Sequence, residues 1–203
     1  AYDQFLKTRG TEQRINYVSA SHLNIQELIK EDEISKEIAA PLRIAVALPT
    51  LIDIESTGEW TTLPDGQKIW QQTVEAPEAH GLIIRYDEFY IPEGGNFFIY
   101  TDDKSQVLGA YTHNTNPSGG VFANGMLYSD RITMEYVPST ISKEQPRIVV
   151  KTIGYAYNLK DTGPGTAQSC MININCPEGN EWQVQKRGVV KLTIYYGGKG
   201  QFT

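Results

Sequence analysis

Histidine is the residue type to examine first for acid–base chemistry, because a nucleophilic serine needs a nearby base and a carboxylate that orients it. The chain has three histidines, His22, His80 and His113. Each lies in a polar, loop-like stretch, and no local motif of nucleophile, base and orienting group accompanies any of them. We interpret all three as solvated side chains and nominate no catalytic residue.

Four carboxylates in or beside predicted loops raise the question of a metal site. Asp102, Asp103, Asp130 and Glu135 offer the oxygen atoms that Ca²⁺ takes from loops. The sequence lacks the Asp-x-Asp-x-Asp-Gly spacing of a calcium loop, so we interpret them as solvated turn residues. We predict neither a metal site nor a cofactor.

A cluster of aromatic residues is the third candidate for chemistry, as a platform on which a sugar stacks. Large aromatic side chains on a sheet are more often core than surface, so we expect this set inside the fold. The set is Trp60, Trp70, Phe97, Phe98 and Tyr100.

Composition narrows the classes of function. The 203 residues are 40% hydrophobic and 21% charged, which is typical of a folded globular protein. A formal net charge of -6 disfavours nucleic acid as a partner, since binding phosphates requires basic clusters. No stretch approaches the roughly 20 apolar residues that cross a bilayer, so we expect no membrane span.

The elements that must position these residues are mostly strands. Asn24 to Ala39 has the apolar spacing of a short helix with Asn24 as N-cap. After Pro41 the apolar residues alternate as in a strand with one buried face, and Leu63-Pro64-Asp65-Gly66 predicts a hairpin turn. Further predicted strands are residues 81–86, 96–100, 107–112, 131–136 and 147–156.

This pattern predicts an all-β fold, an antiparallel β-sandwich of jelly-roll-like type with a short N-terminal helix. Alternating apolar residues are expected to supply the two inner faces of the sandwich. They are Ile44, Val46, Leu48, Leu82, Ile84, Phe98, Tyr100, Ile132, Met134, Ile148 and Val150.

The composition changes after the sandwich. Residues 159–168 are rich in Gly, Thr and Pro and lack strand periodicity, which indicates a linker. Beyond it, residues 187–196 predict a new strand, and the glycines of residues 197–200 predict a turn.

Residues 169–179, Ser-Cys-Met-Ile-Asn-Ile-Asn-Cys-Pro-Glu-Gly, resemble the opening of the mature catalytic domain of bacterial lysyl endopeptidases, which are secreted, trypsin-like serine peptidases. In that family a strand and a Gly-rich hairpin then lead into a Cys-Thr-Gly motif. Residues 201–203 lie where that motif would start, so the match stops short of any catalytic residue.

The resemblance continues upstream, more diffusely, to the pro-region of the same peptidases. It implies a pro-region over residues 1–160, with a helical lead-in over 1–40 and the sandwich over 41–158. It also implies that residues 161–203 hold the linker and the first strand or hairpin of a truncated trypsin-like barrel. The matching stretches are residues 41–46, 58–70, 91–100 and 129–136, where Ser129-Asp130 replaces an expected Gly-Asp.

Cys170 and Cys176 are the two cysteines of the chain. From the residues alone they are free thiols, a small mutual loop, or halves of disulfides with partners beyond residue 203. The resemblance favours the last alternative, with partners in the missing catalytic domain. It also implies secretion into an extracellular or periplasmic, oxidising space.

The resemblance also places a processing site in the linker. A lysine-specific peptidase is expected to cut after Lys160, giving a mature start at Asp161, because an extended, exposed backbone enters a peptidase cleft. Lys151 is the rival, but it falls in a predicted strand whose ladder hydrogen bonds should protect it.

Two functions follow as hypotheses. In the first, the chain is the pro-domain of a secreted lysine-specific serine endopeptidase, non-catalytic as a fragment, with its own catalytic domain as intramolecular partner. In the alternative, it is a stand-alone carbohydrate-binding or adhesion module. The segment itself lacks a catalytic triad, whereas the parent protein resembles a serine endopeptidase.

Overall fold

The computed structural model describes residues 15–38, 43–158, 177–188, 193–196 and 201–202. These residues form two helices, α1 (Ile25–Glu37) and α2 (Gln183–Lys186), and a 3-10 helix (Pro177–Trp182). The strands are β1 (Ile15–Tyr17), β2 (Ala45–Asp53), β3 (Glu59–Thr62), β4 (Lys68–Glu75), β5 (Gly81–Tyr90), β6 (Asn96–Thr101), β7 (Val107–Tyr111), β8 (Phe122–Ala123), β9 (Arg131–Val137), β10 (Arg147–Ala156), β11 (Tyr195–Tyr196) and β12 (Gln201–Phe202).

The strands form two sheets, so the expectation of a mostly β, sandwich-like fold is confirmed. In the first sheet the order is β1-β4-β9-β6-β7, and β3 also pairs with β4. In the second sheet the order is β11-β12-β2-β10-β5-β8. Almost all pairs are antiparallel, but β1 pairs with β4 in parallel, which the sequence did not predict because three residues carry no readable period.

The predicted hairpin forms between β3 and β4, with Trp60 opposite Trp70. Gly66 closes its turn with φ +85°, a left-handed conformation that glycine adopts without steric cost. Gly58, just before β3, has φ +74°, and a Cβ there would lie 2.5 Å from the Trp70 indole nitrogen. Glycine at position 58 therefore lets the backbone pass close to a buried indole.

One large hydrophobic cluster draws on both sheets. Its most buried large side chains include Trp70, Tyr86, Phe89, Phe97 and Tyr136. The expectation that Phe98 and Tyr100 face inward is wrong, because Phe97, Ile99 and Thr101 are the buried residues of β6. Ile44 is buried, but it belongs to a separate small cluster and not to the main core as expected. The pairing of β6 with β9 sets this phase, since Phe97 lies opposite Tyr136 and Ile99 opposite Met134, both of which point into the core.

The N-terminal helix is part of the same core. Asn24 caps it as predicted, since its Oδ1 accepts a hydrogen bond from the Glu27 amide at 3.2 Å. Ile25, Leu28 and Ile29 pack against the main cluster. Helix α1 therefore covers the sandwich rather than standing apart from it.

A buried ion pair fixes this helix to the end of the sandwich. Asp32 is 4% exposed, and it accepts hydrogen bonds from Arg43 Nε at 2.9 Å and from the Tyr157 hydroxyl at 2.6 Å. Arg43 also donates to the Leu28 carbonyl at 2.9 Å. Burial, together with the hydrogen bond to Asp32, raises the pKa of Tyr157 well above its ordinary value.

Candidate functional site

The three histidines do not come together. His22 and His80 are exposed and His113 is half-buried, and each lies in a different connection. The backbone amide of His80 donates to the Ala156 carbonyl at 2.7 Å, which is a structural contact.

Of the four predicted acidic residues, Asp102, Asp103 and Glu135 make side-chain contacts, and Asp130 is exposed. Thr101 Oγ1 donates to Asp103 at 2.6 Å and Ser105 donates through both its amide and its hydroxyl, which lowers the pKa of Asp103. The Arg131 guanidinium lies 3.0 Å from the Asp102 carboxylate. Glu135 accepts hydrogen bonds from Gln71 at 2.8 Å and Tyr100 at 2.9 Å on the outer side of the first sheet. In the ranges given above, no group of three or more His, Cys, Asp or Glu side chains is arranged to hold a metal ion.

The aromatic set divides between core and surface. Trp70 and Phe97 are fully buried, while Trp60 is 47% exposed. Trp60, Trp70, Tyr136 and Phe97 lie opposite one another across four strands, so Trp60 is the outer end of an inward-facing aromatic row. The rings of Trp60 and Tyr136 meet edge to face, with centroids 6.3 Å apart.

This exposed indole lines a groove of about 490 Å³ at one open end of the sandwich, which we call the Trp60 groove. One wall is the β3–β4 hairpin and the other is the connection between β9 and β10. The groove carries Lys68 and Lys143, and its Tyr136 has a pKa raised by burial to about 12. Its lining is Trp60, Thr62, Lys68, Tyr136, Pro138, Ser139, Ser142, Lys143, Glu144, Gln145 and Pro146.

A second apolar surface lies on the outer side of the second sheet. Ile44, Ala45, Ile83 and Ala156 form a small cluster separate from the main core, and we call it the outer patch. Its members are at most 4% exposed although they point away from the sandwich interior. The Ala47, Met126 and Tyr195 side chains pack against it.

Tyr195 belongs to the C-terminal part of the chain. Besides this side chain, the backbone of the same part contacts the second sheet. β11 pairs with β12, and β12 extends the second sheet by pairing Gln201 with Val46 and Phe202 with Ala45. We call β11 and β12 the C-terminal strand pair. Arg85 places its guanidinium carbon 4.8 Å from the centre of the Tyr195 ring, which is a cation–π contact.

The remainder of the β2 edge is partly closed by β1. Asn16 donates to the Leu51 carbonyl at 3.3 Å and accepts from the Thr50 hydroxyl at 3.2 Å. Exposed strand edges invite pairing with other chains, and a side chain across the edge discourages it. At residues 45–46 the β2 edge pairs with β12, and at residues 50–51 the Asn16 side chain covers it.

Lys151, the rival processing site, lies in β10 between β2 and β5. We predicted that ladder hydrogen bonds protect Lys151, but its amide bonds to a side chain and not to the backbone of a neighbouring strand. Both pairings are bulged near this residue, and the Lys151 amide donates instead to the Asp87 carboxylate at 3.0 Å. The bulge still lies within a central strand, with a neighbouring strand on each side.

Four other predicted residues, Lys160, Asp161, Cys170 and Cys176, lie outside the described residues. The prediction of a strand beginning at Arg187 is wrong, because Arg187 lies in a turn after α2 and its amide donates to the Val184 carbonyl at 3.2 Å. Within the predicted stretch, the structure shows β11 at Tyr195–Tyr196.

The outer patch was missed from the sequence, although a signal for it is present. Gly81-Leu82-Ile83-Ile84 is buried at every residue, whereas a strand with one wet face alternates. Consecutive apolar residues in a strand indicate burial on both faces.

None of the helices in the described part of the chain has the length and apolar character needed to cross a membrane. No family model matches the sequence.

Proposed function

We propose that this chain is the pro-domain of a secreted, lysine-specific serine endopeptidase, joined to the beginning of the catalytic domain. The proposal starts from the resemblance of residues 169–179 to the opening of that catalytic domain. In it, the sandwich is jelly-roll-like and the C-terminal strand pair is the first hairpin of a trypsin-like barrel.

The single observation that carries the proposal is the contact between the sandwich and the C-terminal strand pair. The segment that follows the resembling stretch adds strands to the second sheet and places Tyr195 on the outer patch. A pro-domain has to recognise the domain that follows it, and this contact is of that kind.

In this function the sandwich keeps the peptidase latent or assists its folding. Peptide hydrolysis is carried out by the domain that follows. The purified chain is then expected to hydrolyse no lysyl peptide substrate. Turnover that is lysine-specific and sensitive to serine-directed inhibitors would contradict this.

The decisive test is the coding sequence after residue 203, followed by an assay. Continuation through Cys-Thr-Gly to a Thr-Ala-x-His-Cys and a Gly-Asp-Ser-Gly motif is expected, and a stop codon there would refute the proposal. The sandwich is then titrated into the mature peptidase, with hydrolysis of a lysyl substrate and the rate of refolding as readouts. A folded sandwich that changes neither would also contradict the proposal.

A second candidate function, carbohydrate binding, is favoured by one observation, the exposed Trp60 indole in its groove. A flat indole with polar groups around it is suited to stacking on a sugar ring. The test is a titration with oligosaccharides monitored by tryptophan fluorescence. Saturable quenching that Trp60→Ala abolishes and Trp182→Ala retains would support this function, and no change in fluorescence would remove it.

A further inference from the structure

The outer patch and the segment that covers it lie on opposite sides of the predicted cut. Tyr195 and β12 lie after Lys160 in the chain, whereas β2, β5 and β10 lie before it. A cut in the linker therefore leaves every atom of this contact in place.

The residues of the outer patch are apolar, as expected for a surface that another segment covers. On the outer side of the sheet, Ala45 lies opposite Ala156, and Ala47 lies opposite Gly154, which lies opposite Ile83. With Ile44, the patch is an apolar floor of small residues and two large side chains, Ile44 and Ile83, and not the polar outer face of a solvated sheet. Among the described residues, Tyr195 is the hydrophobic side chain from beyond residue 158 that packs on it.

Three kinds of interaction act together in the contact. Backbone pairing joins β12 to Ala45 and Val46, the Tyr195 ring covers the apolar floor, and Arg85 faces that ring. Arg85 is itself held by Asp87, whose carboxylate accepts a hydrogen bond from its guanidinium at 3.1 Å. Strand addition supplies affinity through the main chain, and the pocket under one side chain supplies specificity.

We propose that the outer patch and the adjoining β2 edge form a docking surface for the chain's own C-terminal strand pair, one that keeps the two parts together after the linker is cut. This inference rests on the proposed function for its biological meaning. If β11 and β12 are the first strands of the catalytic barrel, processing has two steps, cleavage of the linker and then displacement of the strand pair from β2. The barrel cannot use the β12 edge that is paired with β2 until the second step.

The test uses the full chain with one recognition sequence for a sequence-specific processing peptidase in place of residues 161–167. After complete cleavage, size-exclusion chromatography reports whether the C-terminal fragment elutes with the sandwich. Both cysteines belong to the C-terminal fragment, so a disulfide between the fragments cannot cause co-elution. Co-elution is expected, and immediate separation at micromolar concentration would overturn the proposal.

The substitution Tyr195→Ser tests the contact without touching the sandwich. We expect the dissociation constant of the cleaved pair to rise roughly tenfold or more, because a ring that covers the apolar floor is lost. The matched control is Tyr196→Ser, because Tyr196 is the adjacent residue of the same strand and is not among the side chains that pack on the patch. Equal effects of the two substitutions would overturn the role of Tyr195.

A substitution on the other side of the contact, Ile83→Lys, is expected to release the fragment as well. Circular dichroism of the cleaved protein distinguishes loss of docking from loss of the fold. Docking that survives Ile83→Lys in a folded sandwich would refute the proposal. None of these readouts measures peptidase activity, so their failure is distinct from failure of the proposed function.

Discussion

Neighbouring residues of β5 belong to two different hydrophobic clusters. Leu82 and Ile84 point into the core between the sheets, where both sheets contribute side chains. Ile83 points to the other side, where the outer patch has four buried members and depends on Tyr195 for part of its cover. Every described member of the inner cluster precedes residue 158, while the outer patch also receives Tyr195 from beyond that residue.

This difference separates folding from recognition. Residues of the inner cluster are expected to determine whether the sandwich is stable, and residues of the outer patch whether it holds the C-terminal strand pair. Four predictions test that division, from the largest expected effect to the smallest.

The first prediction concerns the aromatic row. Trp70→Ala is expected to lower the free energy of unfolding by about 3–5 kcal/mol, because it empties a fully buried site in the inner cluster. Trp60→Ala at the exposed end of the row is the control and should cost about 1 kcal/mol or less. Chemical denaturation of both variants measures this, and similar losses would contradict the division.

The second prediction concerns the ion pair that holds α1 over the inner cluster. Arg43→Ala leaves Asp32 buried without its cation, and we expect a loss of about 3 kcal/mol. The control is Glu31→Gln, since Glu31 bonds to the same guanidinium from an exposed position. Hydrogen exchange should show α1 opening first, and unchanged protection of α1 in Arg43→Ala would show that the pair is dispensable.

The third prediction is a loss of stability at alkaline pH. Burial raises the pKa of Tyr136 to about 12, whereas a tyrosine in the unfolded chain ionises near pH 10. Between these values the unfolded state binds fewer protons, so the free energy of unfolding falls as pH rises, by about 1.4 kcal/mol per pH unit for this residue. The contribution is fully present below pH 10 and is lost as pH rises to about 12.

Tyr136→Phe should make that alkaline decline shallower by the same amount. Denaturation curves measured from pH 8 to pH 12 test it. Below pH 9 the variant and the parent should share one pH dependence, which serves as the internal control. Parallel declines above pH 10 would contradict the assignment.

The fourth prediction compares the two sides of β5 directly. Ile84→Val should cost about 1 kcal/mol both in the full chain and in a chain that ends at residue 158. Ile83→Val should cost a similar amount in the full chain but change the shorter one by no more than about 0.5 kcal/mol. An Ile83 effect that is independent of chain length would show that the outer patch serves the sandwich alone.

Much of the fold was predictable because its signals are local. The hairpin at residues 63–66, the cap at Asn24 and most strand bounds follow from turn residues and alternation. The phase of β6 was not predictable, because Phe97 and Phe98 are equally apolar and only pairing with β9 selects one of them. β1 was not predictable either, since its partner β4 lies far along the chain.

The candidate sites were less accessible to sequence reasoning. Trp60 and Trp70 flank one turn and look equivalent, but the edge position of β3 leaves Trp60 at the rim. The outer patch combines residues from β2, β5 and β10, which become neighbours only through the strand order. Its one local trace is the apolar run at residues 82–84.

The position of β10 in the second sheet has a consequence for the order of events during synthesis. β2 and β5 are not neighbours, and β10, made more than fifty residues after the end of β5, is the strand that joins them. Tyr157, which closes the Asp32 contact, emerges at the same time. Contacts between distant residues delay folding, so this sheet cannot close on the ribosome until residues 147–156 have been made. The C-terminal strand pair, which is made after β10, then meets a β2 strand that β10 has already paired.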